Sequence, residues 1–258
     1  MSALCAIAGV GLYTPRYASL AALRAGQISA EPRPPSGELL DKHSRRRASE
    51  LTKACADAYQ QALTQAGVDA VSCGAVFGSA LGEASTTIGL LDQLWRGPGM
   101  LSPMRFAASV HNTAAGVVSI GTKNTGFSTA LGADFDTPAM ALLEGMAFVL
   151  THGLPVIVVC ADEAAPENLV KNEEGWDFLC SALALIPDEG ASASLTRVSA
   201  PERNVASWVT PELPRGLAQS PVVGLLDVIA ALADERATDV RLDRGRGSGF
   251  GVRILRGS

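Results

Sequence analysis

Thr125-Gly-Phe-Ser-Thr-Ala-Leu-Gly-Ala-Asp134 leaves a buried strand and leads into a long apolar helix that Thr137-Pro138 opens. A side chain on such a strand-to-helix turn can be aimed at a substrate with helix N–H donors close by, so many folds place a nucleophile there. Here the turn presents Leu131, which can neither attack a carbonyl nor exchange a proton. The segment predicts a catalytic scaffold without its catalyst.

Upstream, residues 4–13 read as a strand and the proline-rich 27–43 as an exposed loop. A helix is predicted from Ser44 to Ala66, stopping at Gly67, with small apolar residues at Ala48, Leu51, Cys55, Ala58 and Ala62 in a 3-4-3-4 spacing. Strand 71–80 and helix 85–95 follow, then a mostly apolar helix from Met104 to Val118. Downstream, the helix from Thr137 to about Leu150 is apolar nearly all round and therefore central. Leu154–Cys160 is a strand of the fully buried kind. Strands at 178–186 and 193–198, antiparallel across the 187–191 loop, precede a helix at 222–233 and strands at 239–242 and 249–255. Alternating strands and helices predict a layered α/β fold.

Composition bounds the function. The 258 residues are 47% hydrophobic and 18% charged, with a net charge of −5. That balance disfavours a nucleic-acid role, and Arg45-Arg46-Arg47 is the one dense basic cluster. Cys5, Cys55, Cys73, Cys160 and Cys180 are scattered without a C-x-x-C pair, which points to buried free thiols and a reducing, cytoplasmic compartment. Met1–Val10 reads as a first strand rather than a leader, and no apolar run reaches a membrane span. Three distant histidines offer no metal site, and no cofactor is implied.

The order of segments resembles the β-ketoacyl synthases of the thiolase-like superfamily. His43-Ser-Arg-Arg-Arg-Ala48 is similar to the family's basic helix start, and Leu101–Gly116 to its "S-P-x…N-x-x-A-G" helix. Gly121–Leu131 is similar to "G-P-…-S-T-A-C", with Leu131 on the nucleophilic cysteine. Leu154–Ala164 resembles the strand after it. At the weaker C-terminal end, Gly216–Gly224 resembles "G-H-x-x-G-A-A-G" with Leu217 on a catalytic histidine, and Gly247–Val252 resembles the closing "S-F-G-F-G-G" hairpin. The resemblance implies a single thiolase-like domain over 1–258, layered α/β/α and abbreviated in its second half. Residues 1–200 would be the ketosynthase N-terminal-like half and 201–258 a reduced C-terminal remnant. Condensation needs a thiolate and histidines, and neither stands at the matched positions. The resemblance thus implies a non-catalytic chain length factor, of the short form associated with aryl-polyene-type pathways. It would pair with an active β-ketoacyl-ACP synthase and shape the acyl tunnel in fatty-acid or polyketide biosynthesis. Ala108, His111, Asn112, Ala115 and Gly116 would line the tunnel or interface, and Phe127, Ser128 and Thr129 the strand that pairs across the two-fold. Arg45–Arg47 would receive an acyl carrier protein.

Other readings stay open. Gly126-Phe-Ser-Thr-Ala130 is one residue away from a G-x-S-x-G elbow, so an acyltransferase or hydrolase would use Ser128 with His152, or a relocated thiol such as Cys160. His111 suits a hydrogen-bonded structural histidine as well as a substrate contact, and the small residues suit close helix packing as well as a tunnel. The third reading is a self-sufficient homodimeric acyl-binding protein.

Overall fold

The first strand, β1 (Leu4–Tyr13), runs through the middle of the sheet rather than along its edge. It is followed by α1 (Leu20–Arg24), α2 (Lys42–Arg47), α3 (Glu50–Ala66), β2 (Gly74–Gly78), α4 (Ala84–Arg96), α5 (Pro103–Ala107), α6 (Thr113–Thr122) and β3 (Ser128–Leu131). Next come α7 (Thr137–His152), β4 (Val156–Asp162), β5 (Leu179–Pro187), β6 (Thr196–Ser199) and β7 (Glu202–Arg203). The chain closes with α8 (Arg215–Ala218), α9 (Val223–Ala231), β8 (Thr238–Arg241) and β9 (Phe250–Leu255). The computed structural model describes residues 4–97, 99–171, 174–203, 207–232 and 238–256.

The described strands form one mixed sheet in the order β3-β2-β4-β5-β1-β6-β9-β7, with β8 on the other side of β9. β3, β2 and β4 are parallel; β5, β1, β6 and β9 each run antiparallel to their neighbours. β2 and β4 are buried along their whole length because helices cover both faces, so their sequences carry no polar alternation. α3 and α6 pack on one face around Ala54, Ala58, Phe77 and Ile157. α7 and α9 pack on the other around Leu142, Met146, Leu183 and Leu226. The arrangement is a layered α/β/α fold.

The small residues of α3 let it lie almost in contact with β1. A Cβ on Gly9 or Gly11 would collide with the carbonyl oxygens of Ala62 and Ala58. The helix ends at Gly67 in the left-handed region (φ +63°), where a side chain would be strained. The expected helix 44–66 is in fact two. Ser49 adopts extended backbone and accepts from Thr52 N at 2.9 Å, which starts α3 afresh and leaves the arginines on the short α2. The expected helix 104–118 also breaks, at Ala108–Asn112, so Ala108, His111 and Asn112 do not share a helix face with Ala115 and Gly116. β2 is shorter than 71–80, since Val71 and Ser72 turn back on Asp69. The strands expected at 178–186 and 193–198 do not pair with each other, because β1 lies between β5 and β6.

Candidate functional site

β3 brings Leu131 to the C-terminal end of three parallel strands, where open α/β sheets place their ligands. In register, Leu131 stands beside Gly78, and Gly78 beside Cys160. A strand's side chains alternate between faces. Phe127 and Leu131 accordingly pack toward the α7/α9 core, while Ala130 packs toward the α3/α6 core. Leu131 is half-buried. The matched histidine position, Leu217 on α8, is buried in the same α7/α9 core. The turn after β3 does not run straight into a helix. Residues 132–136 intervene, Asp134 takes a left-handed φ of +51°, and α7 begins only at Thr137. No α7 N–H donor lies next to Leu131 in the chain, contrary to the expectation from the sequence.

A polar network sits beside this turn. Ser79 Oγ donates to Asp162 at 2.6 Å and accepts from Gly82 N at 2.8 Å. Asp162 also accepts from Ala80 N and Leu81 N at 3.2 and 3.1 Å. Burial pushes its carboxyl up to about 6, against the pull of those hydrogen bonds. His111, in the α5–α6 connection, donates Nε2–H to the Ser79 carbonyl at 2.9 Å. Its ring is wedged between two glycines: a Cβ on Gly82 or on Gly132 would come within 3.1 Å of it. Nearby, Glu83 is buried and accepts from Ser49 and Thr52 at 2.7 and 2.8 Å, and burial raises its carboxyl as well.

These residue types are those of a Ser-His-Asp triad, but the connections are not. The Ser79 hydroxyl gives its hydrogen to Asp162, and His111 binds a backbone oxygen. Ser128 fares no better as a nucleophile. It meets Ser119 Oγ at 3.3 Å on the α6 side. His152 meets the Phe148 ring at a tilt, and Phe148 stacks on Phe127, on the opposite face of the sheet. Cys160 is fully buried, and desolvation first and Asp162 second raise its thiol far above the ordinary range. All five thiols are free and buried. Among the described residues no group of three or more His, Cys, Asp and Glu could hold a metal ion, and no helix is long and apolar enough to cross a membrane.

The other expected site residues separate into two surroundings. Ala115 lies in the α3/α6 core, so it lines no open face. Gly116 points outward, with nothing within 4 Å of a Cβ placed there. Ala108 caps the end of α5, and Asn112 caps the start of α6 without a side-chain hydrogen bond. Phe127 and Thr129 lie half-buried on β3. Arg45, Arg46 and Arg47 occupy the last turn of α2. Lys42, His43, Arg46 and Arg47 line a groove of about 430 Å³. The sequence reading passed over Asp162, Ser79 and Glu83; a carboxylate closing an otherwise apolar strand was the available signal for Asp162.

Among the described residues, no strand pairs with the outer edge of β3. The Phe127 and Leu131 carbonyls accept from Ala75 on β2 and from Ser79 just after it. By alternation, the N–H groups of Ser128 and Ala130 face outward. Earlier in the chain, the segment from α4 to α6 exposes large apolar side chains, including Leu94, Trp95 (90% exposed), Met100 (95%), Phe106 and Ile120 (69%).

No curated protein sequence matches the chain. Among solved structures, it superposes on a chain of the ketosynthase (ApeO) in complex with its chain length factor (ApeC) from Xenorhabdus doucetiae. There the TM-score is 0.71 and the identity 18%, with 99% of this chain and 100% of that chain covered. The ishigamide ketosynthase/chain length factor gives a TM-score of 0.73 at 16% identity, over 98% and 99%. The complex of a type II PKS acyl-carrier protein with its ketosynthase (AntDE:AntF) gives 0.71 at 11%, over 99% and 100%. At such identities these likenesses establish the fold. The family model described as "Beta-ketoacyl synthase, N-terminal domain" matches residues 21–246, and with that span the chain belongs to the β-ketoacyl synthase N-terminal domain family.

Proposed function

We propose that this chain is a non-catalytic chain length factor that pairs with an active β-ketoacyl-ACP synthase and forms one wall of its acyl tunnel. The observation that carries this reading is β3 itself, an open sheet edge that ends on leucine. An exposed edge is an aggregation hazard unless a partner covers it. Four residues of β3 cannot hold a partner by backbone bonds alone. The apolar side chains of α4 to α6 supply the remaining area, as in the large apolar interfaces of obligate complexes. Leu131 and Leu217 leave the chain no group to carry an acyl intermediate or to assist decarboxylation. Gly116 and His111 would face the partner, and Arg46 and Arg47 would attract the acidic carrier protein that delivers the acyl group. The chain length factor complexes among its structural likenesses support the role, and an aryl-polyene-type product is the finer form of it. Residues 201–258 would then be this chain's own reduced remnant of a ketosynthase C-terminal half.

The deciding experiment is co-expression with a full-length ketosynthase encoded beside this chain, with one tag on this chain and native mass spectrometry of the eluate. A one-to-one heterodimer is expected. A stable homodimer that leaves the ketosynthase behind would sink the proposal and favour a self-sufficient acyl-binding protein.

A further inference from the structure

The segment Asp243-Arg-Gly-Arg-Gly-Ser-Gly249, which joins β8 to β9, is tied to three distant parts of the chain. Its own shape comes from Asp243. That buried carboxylate accepts from Gly245, Gly247 and Gly249 N at 2.8, 3.1 and 2.7 Å, and from Arg241 Nε at 2.6 Å. Arg244 reaches Asp227 on α9 through two donors at 2.5 and 2.8 Å. Arg246 donates to the carbonyls of Ala218, Gln219 and Ser220 at 2.8, 2.6 and 3.3 Å, at the end of the helix that carries Leu217. The same guanidinium lies 4.4 Å from the centre of the Phe135 ring. Ser248 gives its N–H and its hydroxyl to the Asp136 carboxylate at 2.8 and 2.5 Å. Gly247 sits so close that a Cβ there would collide with Asp136.

Phe135 and Asp136 belong to the turn that follows Leu131. That turn has few bonds of its own: Ala133 N to Thr137 Oγ1 and Asp136 N to the Ala133 carbonyl, both at 2.9 Å, and Thr137 N to the Asp134 carbonyl. It also carries the left-handed Asp134, a conformation that persists only where the surroundings impose it. Asp136 stands at the N-cap of α7, yet its carboxylate makes no cap bond to that helix and is engaged by Ser248.

We propose that the 243–249 loop is a clasp that sets the conformation of the 132–136 turn, with Ser248 and Arg246 as positioning residues acting through Asp136 and Phe135. The clasp joins the strand end at the nucleophile position to the helix at the histidine position. It is a property of this chain alone and holds whether or not a ketosynthase binds.

Hydrogen exchange followed by mass spectrometry on the full-length protein tests it. In Ser248→Ala and in Arg246→Gln, peptides spanning 132–137 should exchange on the order of tenfold faster, while peptides of α3 and β4 keep their rates. Ser248→Thr and Arg246→Lys should restore the protection. Coupling is reciprocal, so Asp136→Ala should speed exchange across 245–249. Faster exchange confined to 243–249, with 132–137 unchanged, would overturn the clasp. So would a uniform rise in every peptide, because that reports general destabilisation rather than a link between two loops.

Discussion

Asp162 shows how far a single environment can move a side chain's chemistry. Its carboxyl titrates at about 6, up from an ordinary value of 3.8, because burial opposes the charge more strongly than Ser79 and two backbone N–H groups favour it. The folded chain therefore holds this proton more tightly than the unfolded chain. Its contribution to stability is fully present below about pH 4 and is lost as pH rises through about 6, a swing of roughly 3 kcal/mol. Asp162→Asn cannot titrate. Urea melts between pH 4 and 7 should show the variant gaining on the wild type by that order as pH rises, on top of any constant offset from the amide. Two parallel curves would show that Asp162 does not carry the swing. Leu131 supports a second prediction. All five native thiols are buried, so Leu131→Cys would add the one accessible thiol. Maleimide should label it, but an acyl thioester should not acylate it faster than a free exposed cysteine, since His111 is bound to the Ser79 carbonyl. Leu131 was legible because its neighbours Ser128-Thr-Ala130 carry the family pattern. The Asp162 network was not, because its three hydrogen-bonding partners at 79–81 lie about eighty residues away in sequence.

At the scale of elements, sequence reading succeeded where local chemistry decides and failed where it is ambiguous. β1, the Gly67 stop of α3 and the start of α7 at Thr137-Pro138 stand where periodicity and capping put them. The breaks at Ser49 and at Ala108–Asn112 were hidden because alanines carry the apolar pattern straight across them. Ser49 and Asn112, both of a residue type that favours N-caps, were the signals available. The break before α6 changes how its face is tested. Ala115→Phe would force a ring into the tight α3/α6 core and should destabilise the chain by about 1–3 kcal/mol, read as a lower midpoint in denaturant. Gly116→Phe points into open space and should leave that midpoint within about 1 kcal/mol, while shortening the products of the assembled complex. Equal stability losses in both variants would show that the two positions share one environment. α2 has a prediction of its own. Its arginines stand at the helix C-terminus, where cations are favoured, and Arg46 and Arg47 border an open basic groove. Arg46→Glu with Arg47→Glu should lower the rate of the assembled complex several-fold at low salt and flatten its salt dependence. An unchanged rate at low salt would remove α2 from carrier docking.

The whole molecule is organised around a sheet whose two ends differ. β9 is flanked on both sides by short strands, whereas β3, among the described strands, pairs only with β2, and the helices that precede it in the chain, α4 to α6, carry many of the exposed large apolar side chains. No local pattern could reveal this, because strand order depends on long-range pairing, such as the insertion of β1 between β5 and β6. The geometry of β3 permits a selective test of that edge. Carbonyls at 127 and 131 accept from β2, so the amide of Ala130 points to the open side. Proline at 130 would remove a donor that the folded chain leaves free and would put its ring where a partner strand must approach. Ala130→Pro should therefore keep the denaturation midpoint close to wild type, because edge positions tolerate proline, yet abolish the heterodimer in native mass spectrometry. Thr129→Pro is the control: odd residues of β3 bond to β2, so it should lower stability as well as assembly. If Ala130→Pro assembles normally, the apolar faces of α4 to α6 hold the partner without β3, and the continuous sheet across two subunits is wrong even though the pairing is right.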